Sequence, residues 1–264
     1  MAGQTRTYDA IRYSEGKRDS VHDNLCVEHP LAISVNGKVF TLTMQTPGHE
    51  HELARGLLFA EGVYRRKTGE LASQVTEVSE TGYVSAIEIT IDEKDLDVSQ
   101  INKRNLLSVA SCGICGKTEL QIPEGQLGES GALDQARITA MFTAMAAEQD
   151  AFLSSGGSHA SAVFDRDGAL LVLREDIGRH NAVDKVIGHL LNSGTLNRAR
   201  YLLVSGRVSY EIVTKCFSAG IPFLLAVSAP SSLAVDFAKE LGITLFGFCR
   251  ETRATVYAHP ERVS

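Results

Sequence analysis

The chain has 264 residues, 44% apolar and 22% charged, which is ample for a packed core and unlike a disordered or low-complexity chain. Lysine and arginine number 26 against 32 acidic residues, and the formal net charge of −6 excludes a global basic field that would draw the chain to nucleic acid or an anionic membrane. No run approaches the roughly 18 apolar residues of a membrane span, and residues 1–30 lack the apolar stretch of a secretory signal, so a cytoplasmic location without membrane or nucleic-acid partners is expected. The five cysteines are odd in number and sparse, which argues against a disulfide framework and singles out the one close pair, Cys112 and Cys115.

In chain order, residues 1–21 read as a polar lead-in without fixed structure. Residues 31–44 alternate about Asn36-Gly37, a two-residue hairpin signal because both turn positions need positive φ. Thr46-Pro47 then opens a helix through Leu53, Leu57 and Leu58 toward Gly62. Residues 74–79 and 83–91 form a second strand pair, with Ile87, Ile89 and Ile91 alternating after Gly82. Residues 22–110 are thus an α+β region. Residues 111–133 are a loop and linker that Pro123 and several glycines keep irregular. Asp134 caps a helix expected to reach residue 152, with Ile138, Met141, Phe142 and Met145 as its core stripe.

Beyond residue 155 strands alternate with helices: strands 161–164 and 169–173, helix 177–191, strand 201–204, helix 210–219, strand 223–227, helix 233–241 and strand 244–248. That order predicts an α/β domain over residues 134–264, on a mostly parallel sheet with one antiparallel hairpin turning at Asp165–Gly168.

Two thiols spaced as in Cys112-Gly-Ile-Cys115 can chelate a metal, close a disulfide or share a sulfur-transfer step. A structural zinc site wants four ligands, and no second such pair exists; His49, His51, Cys216 and Cys249 lie far apart in sequence, so no metal ligand set is assigned. Thioredoxin-like chemistry needs the pair to open a helix, for which Gly116 and Pro123 leave barely a turn. Ser111 to Thr118 fits a phosphate-binding P-loop except for its first glycine, and Lys117 instead favours the thiolate of a neighbouring cysteine.

Asp176 to Lys185 opens a helix with Asp176 as its expected N-cap. Its polar residues read either as a salt-bridged surface or, given their density, as a ligand site that includes His180. Ser205-Gly206-Arg207 and Ser228 each lie between a strand and a helix, where open α/β sheets bind ligands, and Arg250 and Arg253 follow the last strand. Backbone N–H groups and guanidinium forks there suit phosphates. His49 and His51 with their glutamates read as a solvated first turn.

Cys112-Gly-Ile-Cys115-Gly, Gly157-Ser-His159-Ala, the run from Asp176 to Gly188, Ser205-Gly-Arg-Val-Ser209 and the run from Ser228 to Val235 together resemble the formate dehydrogenase accessory sulfurtransferase (FdhD) family. The likeness extends over Asn36-Gly37, Met44-Gln-Thr-Pro-Gly48 and Glu61-Gly62, from about residue 28 to the end. It implies a sulfur carrier: a cysteine desulfurase loads sulfane sulfur as a persulfide on Cys112, and the sulfur passes to the bis-molybdopterin guanine dinucleotide cofactor of molybdenum before insertion into formate dehydrogenase. Cys115, the second cysteine of the pair, reads either as assisting the transfer or as closing a resting disulfide with Cys112.

The resemblance places the cofactor-binding stretch on Phe248, Cys249, Arg250, Glu251, Thr252 and Arg253, with a guanine nucleotide as mimic. It also implies a homodimer and a C-terminal three-layer α/β/α sandwich similar to the cytidine deaminase fold, although the deaminase zinc signature is missing. Two positions depart from the family's pattern: Gln45 stands where arginine is usual, and Arg55 where a small or apolar residue is usual. A zinc-stabilised or thiol–disulfide redox protein is the competing reading of the cysteine pair.

Overall fold

The computed structural model describes residues 3–97, 99, 125–129, 131–250 and 253–264. Its first element corrects the expectation of an unstructured lead-in: β1 (Thr5–Ser14) and β2 (Lys17–Cys26) pair antiparallel along their whole length, turning at Glu15 and Gly16, both at positive φ. Nearly every residue of this ribbon is exposed on both faces, so it carries no hydrophobic period for a sequence reading to detect.

β3 (His29–Val35) and β4 (Lys38–Gln45) form the expected hairpin, with Asn36 at φ 48° and Gly37 at φ 77°. The Asn36 side chain donates to Ile91 O at 2.8 Å and accepts from Ile91 N at 2.9 Å, which ties the turn to the strand beside it. With β5 (Ser73–Val78) and β6 (Val84–Ile89) these strands make a four-stranded sheet in the order β4-β3-β6-β5. One face packs Leu31, Ile33, Ile87 and Ile89 against Leu53, Leu57 and Leu58 of α1 (Glu50–Ala60). The helix starts three residues beyond Pro47 because His49 adopts a left-handed conformation, φ 66°.

α2 (Gln135–Ala147) is capped by Asp134, whose Oδ1 accepts from Arg137 N at 2.7 Å. The helix expected to reach residue 152 stops at Ala147. A separate α3 (Asp150–Ser155) follows, with Glu175 accepting from Ala151 N at 2.7 Å and Phe152 N at 2.8 Å. That buried carboxylate stands in for a local cap and draws the chain into a new helix.

The remaining elements are β7 (His159–Phe164), β8 (Leu170–Asp176), α4 (Arg179–Asn192), β9 (Tyr201–Val204), α5 (Tyr210–Ser218), β10 (Phe223–Ala226), α6 (Ser232–Leu241), β11 (Thr244–Arg250) and β12 (Arg253–Ala258). They form a six-stranded sheet in the order β12-β11-β10-β9-β7-β8. Only β9/β10 and β10/β11 pair parallel, so the sheet is mixed rather than mostly parallel, and β12, which was not foreseen, forms its edge. On one face Ile138, Met141 and Met145 of α2 meet Phe164, Leu203, Phe223 and Phe246; on the other Val186, Ile187 and Leu190 of α4 and Ile212 of α5 meet Leu202, Leu224 and Leu245. This is the expected three-layer α/β/α sandwich beside a smaller α+β unit. Among the described residues no helix is long and apolar enough to cross a membrane.

The two units meet at a crossing of α1 and α4 with backbones in direct contact. A Cβ on Gly56 would stand 1.9 Å from Asp184 O, and one on Gly188 would stand 1.8 Å from Glu52 O. Asp176, expected to cap α4, instead ends β8 fully buried and pairs with the fully buried Lys185 at 2.7 Å, while Gly178 takes the cap position. The same pair holds Thr46: Lys185 Nζ donates to Thr46 O at 2.7 Å, and Thr46 N donates to Asp176 Oδ2 at 3.1 Å.

Glu52 lies on the same joint, paired with Arg174 at 2.6 Å and His189 at 2.9 Å. Gly188→Ala is therefore expected to lower stability by about 3 kcal/mol or more, since the helices must separate. Gly131→Ala, where an added Cβ meets nothing within 4 Å, leaves the denaturant midpoint near wild type.

Candidate functional site

The carboxyl ends of β9, β10 and β11 lie side by side, and the start of β7 and the end of β8 reach the same rim because those two strands run antiparallel to their neighbours. The loops there are stitched together. Val208 N donates to Ala229 O at 3.2 Å, Ser231 N to Val208 O at 2.9 Å, and Phe248 N to Ser228 O at 3.2 Å. Ser205 Oγ accepts from Ala160 N at 2.9 Å and Ser205 N donates to Ala160 O at 3.0 Å, so this serine fastens the loop to the sheet. The N–H groups of Val208 and Ser231 are consumed in that stitching and are not free for a ligand.

At this rim the fold gathers His180, Ser205, Gly206, Arg207, Ser228, Phe248, Arg250 and Arg253, residues from segments as far as 73 positions apart. Phe248 sits at φ 53° in an irregularity of the β11/β12 ladder, over Gly247, where a Cβ would meet Pro230 Cδ at 2.8 Å. Arg250 and Arg253 face each other across the tip of that hairpin, both exposed. Among the described residues neither has a carboxylate partner, nor has Arg207.

Cys249 alternates to the other side of β11, 2% exposed in the core beneath α2, so its side chain is withdrawn from the rim. Cys112, Cys115, Glu251 and Thr252, like Lys117, lie outside the described residues.

His180 is buried, with Nδ1 2.8 Å from Glu211 Oε2 and Nε2 3.4 Å from Ser209 Oγ. Its neighbours Asp184 and Lys215 form a buried ion pair, so the polar start of α4 is an interior network and not a solvated surface. His159 and Arg179 also border Gly206, at 3.3 Å from the position a Cβ would take there. Arg179 belongs to the dense polar run read as a candidate ligand site, and His159 to the Gly157-Ser-His159-Ala block of the family resemblance, but the sequence singles out neither as a site residue.

The His49–His51 turn is a correction as well. Glu50 is buried and accepts from Gly48 N at 2.7 Å, His49 faces Glu52 at 3.3 Å, and His51 Nδ1 bonds Ser73 Oγ at 2.7 Å on another side. Among the described residues no three histidine, cysteine or acidic side chains gather as a metal-binding group. Both departures from the family's pattern are interior. Gln45 Nε2 donates to Glu50 at 3.3 Å, while Arg55 stacks on Tyr64 and donates to the carbonyls of Tyr64 and Arg66. Burial lowers the Arg55 guanidinium to about 10.

Three thiols are described. Cys216 is fully buried, and burial alone pushes its thiol far above the ordinary range; burial pushes Cys249 up to about 12. Cys26 is half-buried 3.1 Å from Thr46 Oγ1, and burial, with Asp176 and Glu175 nearby, raises it too. Since the thiolate is the reacting form, none of the three is activated.

The chain is thus a mixed α/β sandwich with a polar rim at its strand carboxyl ends, the place where open α/β sheets in general bind ligands. More narrowly, the chain belongs to the FdhD/NarQ family, whose sequence profile matches residues 26–264. It is 43% identical over 254 residues to the sulfur carrier protein FdhD of Mycolicibacterium paratuberculosis, covering 91% of this chain and 92% of that one. It is 39% identical to the protein of that name from Streptomyces coelicolor, covering 100% and 97%. A crystal structure described as a candidate formate dehydrogenase accessory protein from Desulfotalea psychrophila superposes with a TM-score of 0.78 at 24% identity, covering 99% and 100%, and shares the fold.

Brief alkylation of the native protein with iodoacetamide at pH 7.5 is expected to leave Cys216 and Cys249 unmodified, and both react once the chain is unfolded. Peptide mass mapping reads the outcome; native labelling of either would contradict the burial of these thiols.

Proposed function

We propose that the protein is a sulfur carrier of formate dehydrogenase maturation: a sulfurtransferase that takes sulfane sulfur from a cysteine desulfurase on Cys112 and hands it to the bis-molybdopterin guanine dinucleotide cofactor as cargo. The observation that carries this reading is the state of the other thiols. Cys26, Cys216 and Cys249 are held back by burial, which leaves the Cys112–Cys115 pair to do thiolate chemistry. The relatives' name, sulfur carrier protein FdhD, supports the same reading.

In loading, the Cys112 thiolate attacks the outer sulfur of the desulfurase persulfide. The new S–S bond forms on Cys112 as the donor's S–S bond breaks, and the donor cysteine leaves as thiolate with no net change in oxidation. In delivery, the Cys115 thiolate attacks Cys112 Sγ. A Cys112–Cys115 disulfide forms, the bond to the outer sulfur breaks, and hydrosulfide departs to the cargo's molybdenum. The dithiol supplies the two electrons that reduce sulfane sulfur to sulfide, and a cellular thiol must then reopen the disulfide.

The rim would hold the cargo by its nucleotide ends. Arg250 and Arg253, with Phe248, Glu251 and Thr252, lie on one side, and Ser205-Gly206-Arg207, Ser228 and His180 on the other, with guanidinium forks matched to phosphate oxygens. A cytoplasmic homodimer accompanies this reading. The β1–β2 ribbon is tied to α3 by Asn24 Nδ2 donating to Ser154 Oγ at 3.3 Å but leaves Tyr8, Ile11 and Tyr13 exposed, and a second copy would cover them.

Intact-protein mass spectrometry after incubation with a cysteine desulfurase and cysteine tests the loading step. Wild type is expected to gain reducible sulfur that Cys112→Ala does not; no gain beside an active desulfurase would return the pair to metal or disulfide roles. Arg253→Ala is expected to weaken binding of a guanine nucleotide by about tenfold, measured by calorimetry, while loading continues. Loss of loading with nucleotide binding intact would contradict the division between the two steps.

A further inference from the structure

Three interior cations are matched by carboxylates, Lys185 by Asp176, Lys215 by Asp184 and the half-buried Arg174 by Glu52, whereas the fully buried Arg55 stacks on Tyr64 and donates to backbone carbonyls instead, its Nε without a partner among the described residues. At one point of the rim the matching fails. Arg179 Nε is buried without a hydrogen-bond partner, and among the described residues the Arg179 and Arg207 guanidinium groups face no carboxylate within ion-pair distance. Neither ring nitrogen of His159 is bonded either.

His159 and Arg179 close in on Gly206, where a Cβ would stand only 3.3 Å from His159 Nδ1 and from Arg179 Cδ, and the exposed Arg207 follows that glycine in the chain. The N-termini of α4 and α5 open onto the same rim, and Ser209, the cap residue of α5, makes no side-chain capping bond. A place with neighbouring cations and an orphaned buried N–H donor, whose one facing carboxylate, Asp176, is already engaged by Lys185, suits an anion.

We propose that His159, Arg179 and Arg207, arranged around Gly206, form a subsite for the phosphate groups of a nucleotide, and that His159 takes up a proton as the anion enters. The proposal rests on the reading above that this rim takes nucleotide-bearing cargo. It adds residues to that reading and a coupling to pH.

The groups facing His159 are Asp176 from β8, Arg179 and His180 from α4, and Arg207 from the loop after β9. Burial lowers its proton affinity first. Arg179, His180 and Arg207 lower it further, and only Asp176, already engaged by Lys185, opposes them. The free protein therefore holds His159 neutral at pH 7. A phosphate beside it stabilises the charged imidazolium and raises its proton affinity, so binding consumes a proton. Affinity then grows as pH falls from the bound-state value of His159 toward its lower free-state value, and the contribution is absent above the former.

Isothermal titration of GDP into the full-length protein at pH 7, in Pipes and in Tris, reads the proton uptake directly from the difference in heat. Wild type is expected to take up part of a proton per GDP, and His159→Gln to abolish that uptake. Arg179→Gln and the exposed-loop variant Arg207→Gln are expected to weaken GDP by about tenfold, with thermal melts confirming that each is folded.

Inorganic pyrophosphate should displace GDP where guanosine does not. GDP binding by all three variants at wild-type strength, with unchanged uptake, would overturn the subsite while the nucleotide reading of the rim stands. Equal affinity for inorganic phosphate and GDP would overturn its assignment to a nucleotide. Failure of the wild type to bind GDP at all would overturn the reading on which the proposal rests.

Discussion

The crossing of α1 and α4 is the contact on which the rest of the structure depends. Only glycine at positions 56 and 188 lets the two backbones touch, and that approach brings the strand end at Thr46 onto the buried Lys185–Asp176 pair. Two charges buried together stabilise little against an apolar pair of the same volume, yet removing one of them strands the other at a cost of about 3–5 kcal/mol. Their value here is geometric. Lys185 and Asp176 each bond Thr46, and Asp176 Oδ1 also accepts from Gly178 N at 2.8 Å, so one pair fixes the joint between the units and the turn that starts α4.

From that turn the site follows. α4 begins at Arg179 and His180 because Asp176, two residues before the cap, accepts from Gly178 N, and the antiparallel β7 brings His159 to the same end of the sheet. Interior polarity and rim polarity then divide. Inside, Lys185, Lys215 and Arg174 are neutralised by carboxylates from neighbouring elements; at the rim, Arg179, Arg207, Arg250 and Arg253 have no carboxylate partner among the described residues. Guanidinium groups left unpaired at one end of a sheet give that end a local positive field, even though the whole chain carries a net charge of −6.

Much of this was legible in the sequence where the hydrophobic period is clean. Asn36-Gly37, the Ile138–Met145 stripe and the alternating strands and helices after residue 155 appear within a few residues of their expected positions. The β1–β2 ribbon was not legible, because a ribbon exposed on both faces has no buried period. Asp176 was misread as a cap because a local rule cannot foresee a buried lysine nine residues on. The break at Glu148 was hidden for a similar reason: the group that caps α3 is Glu175, distant in sequence. Cys249 and the glutamates beside His49 and His51 looked like site or surface residues, and only the strand register and the packing of α1 show them to be interior. His159 stands in a block that carries the family resemblance, yet its place at the rim depends on where two strands end, which composition and spacing do not encode.

In the proposed function sulfur moves from the loaded cysteine to a cargo held by its nucleotide ends at this rim. Single-turnover transfer of radiolabelled sulfane sulfur from the loaded protein to the molybdenum cofactor, with and without excess GDP, tests this. Label is expected to reach the cofactor, and GDP to slow the transfer in proportion to its occupancy. Transfer at an unchanged rate with the rim saturated by GDP would contradict it.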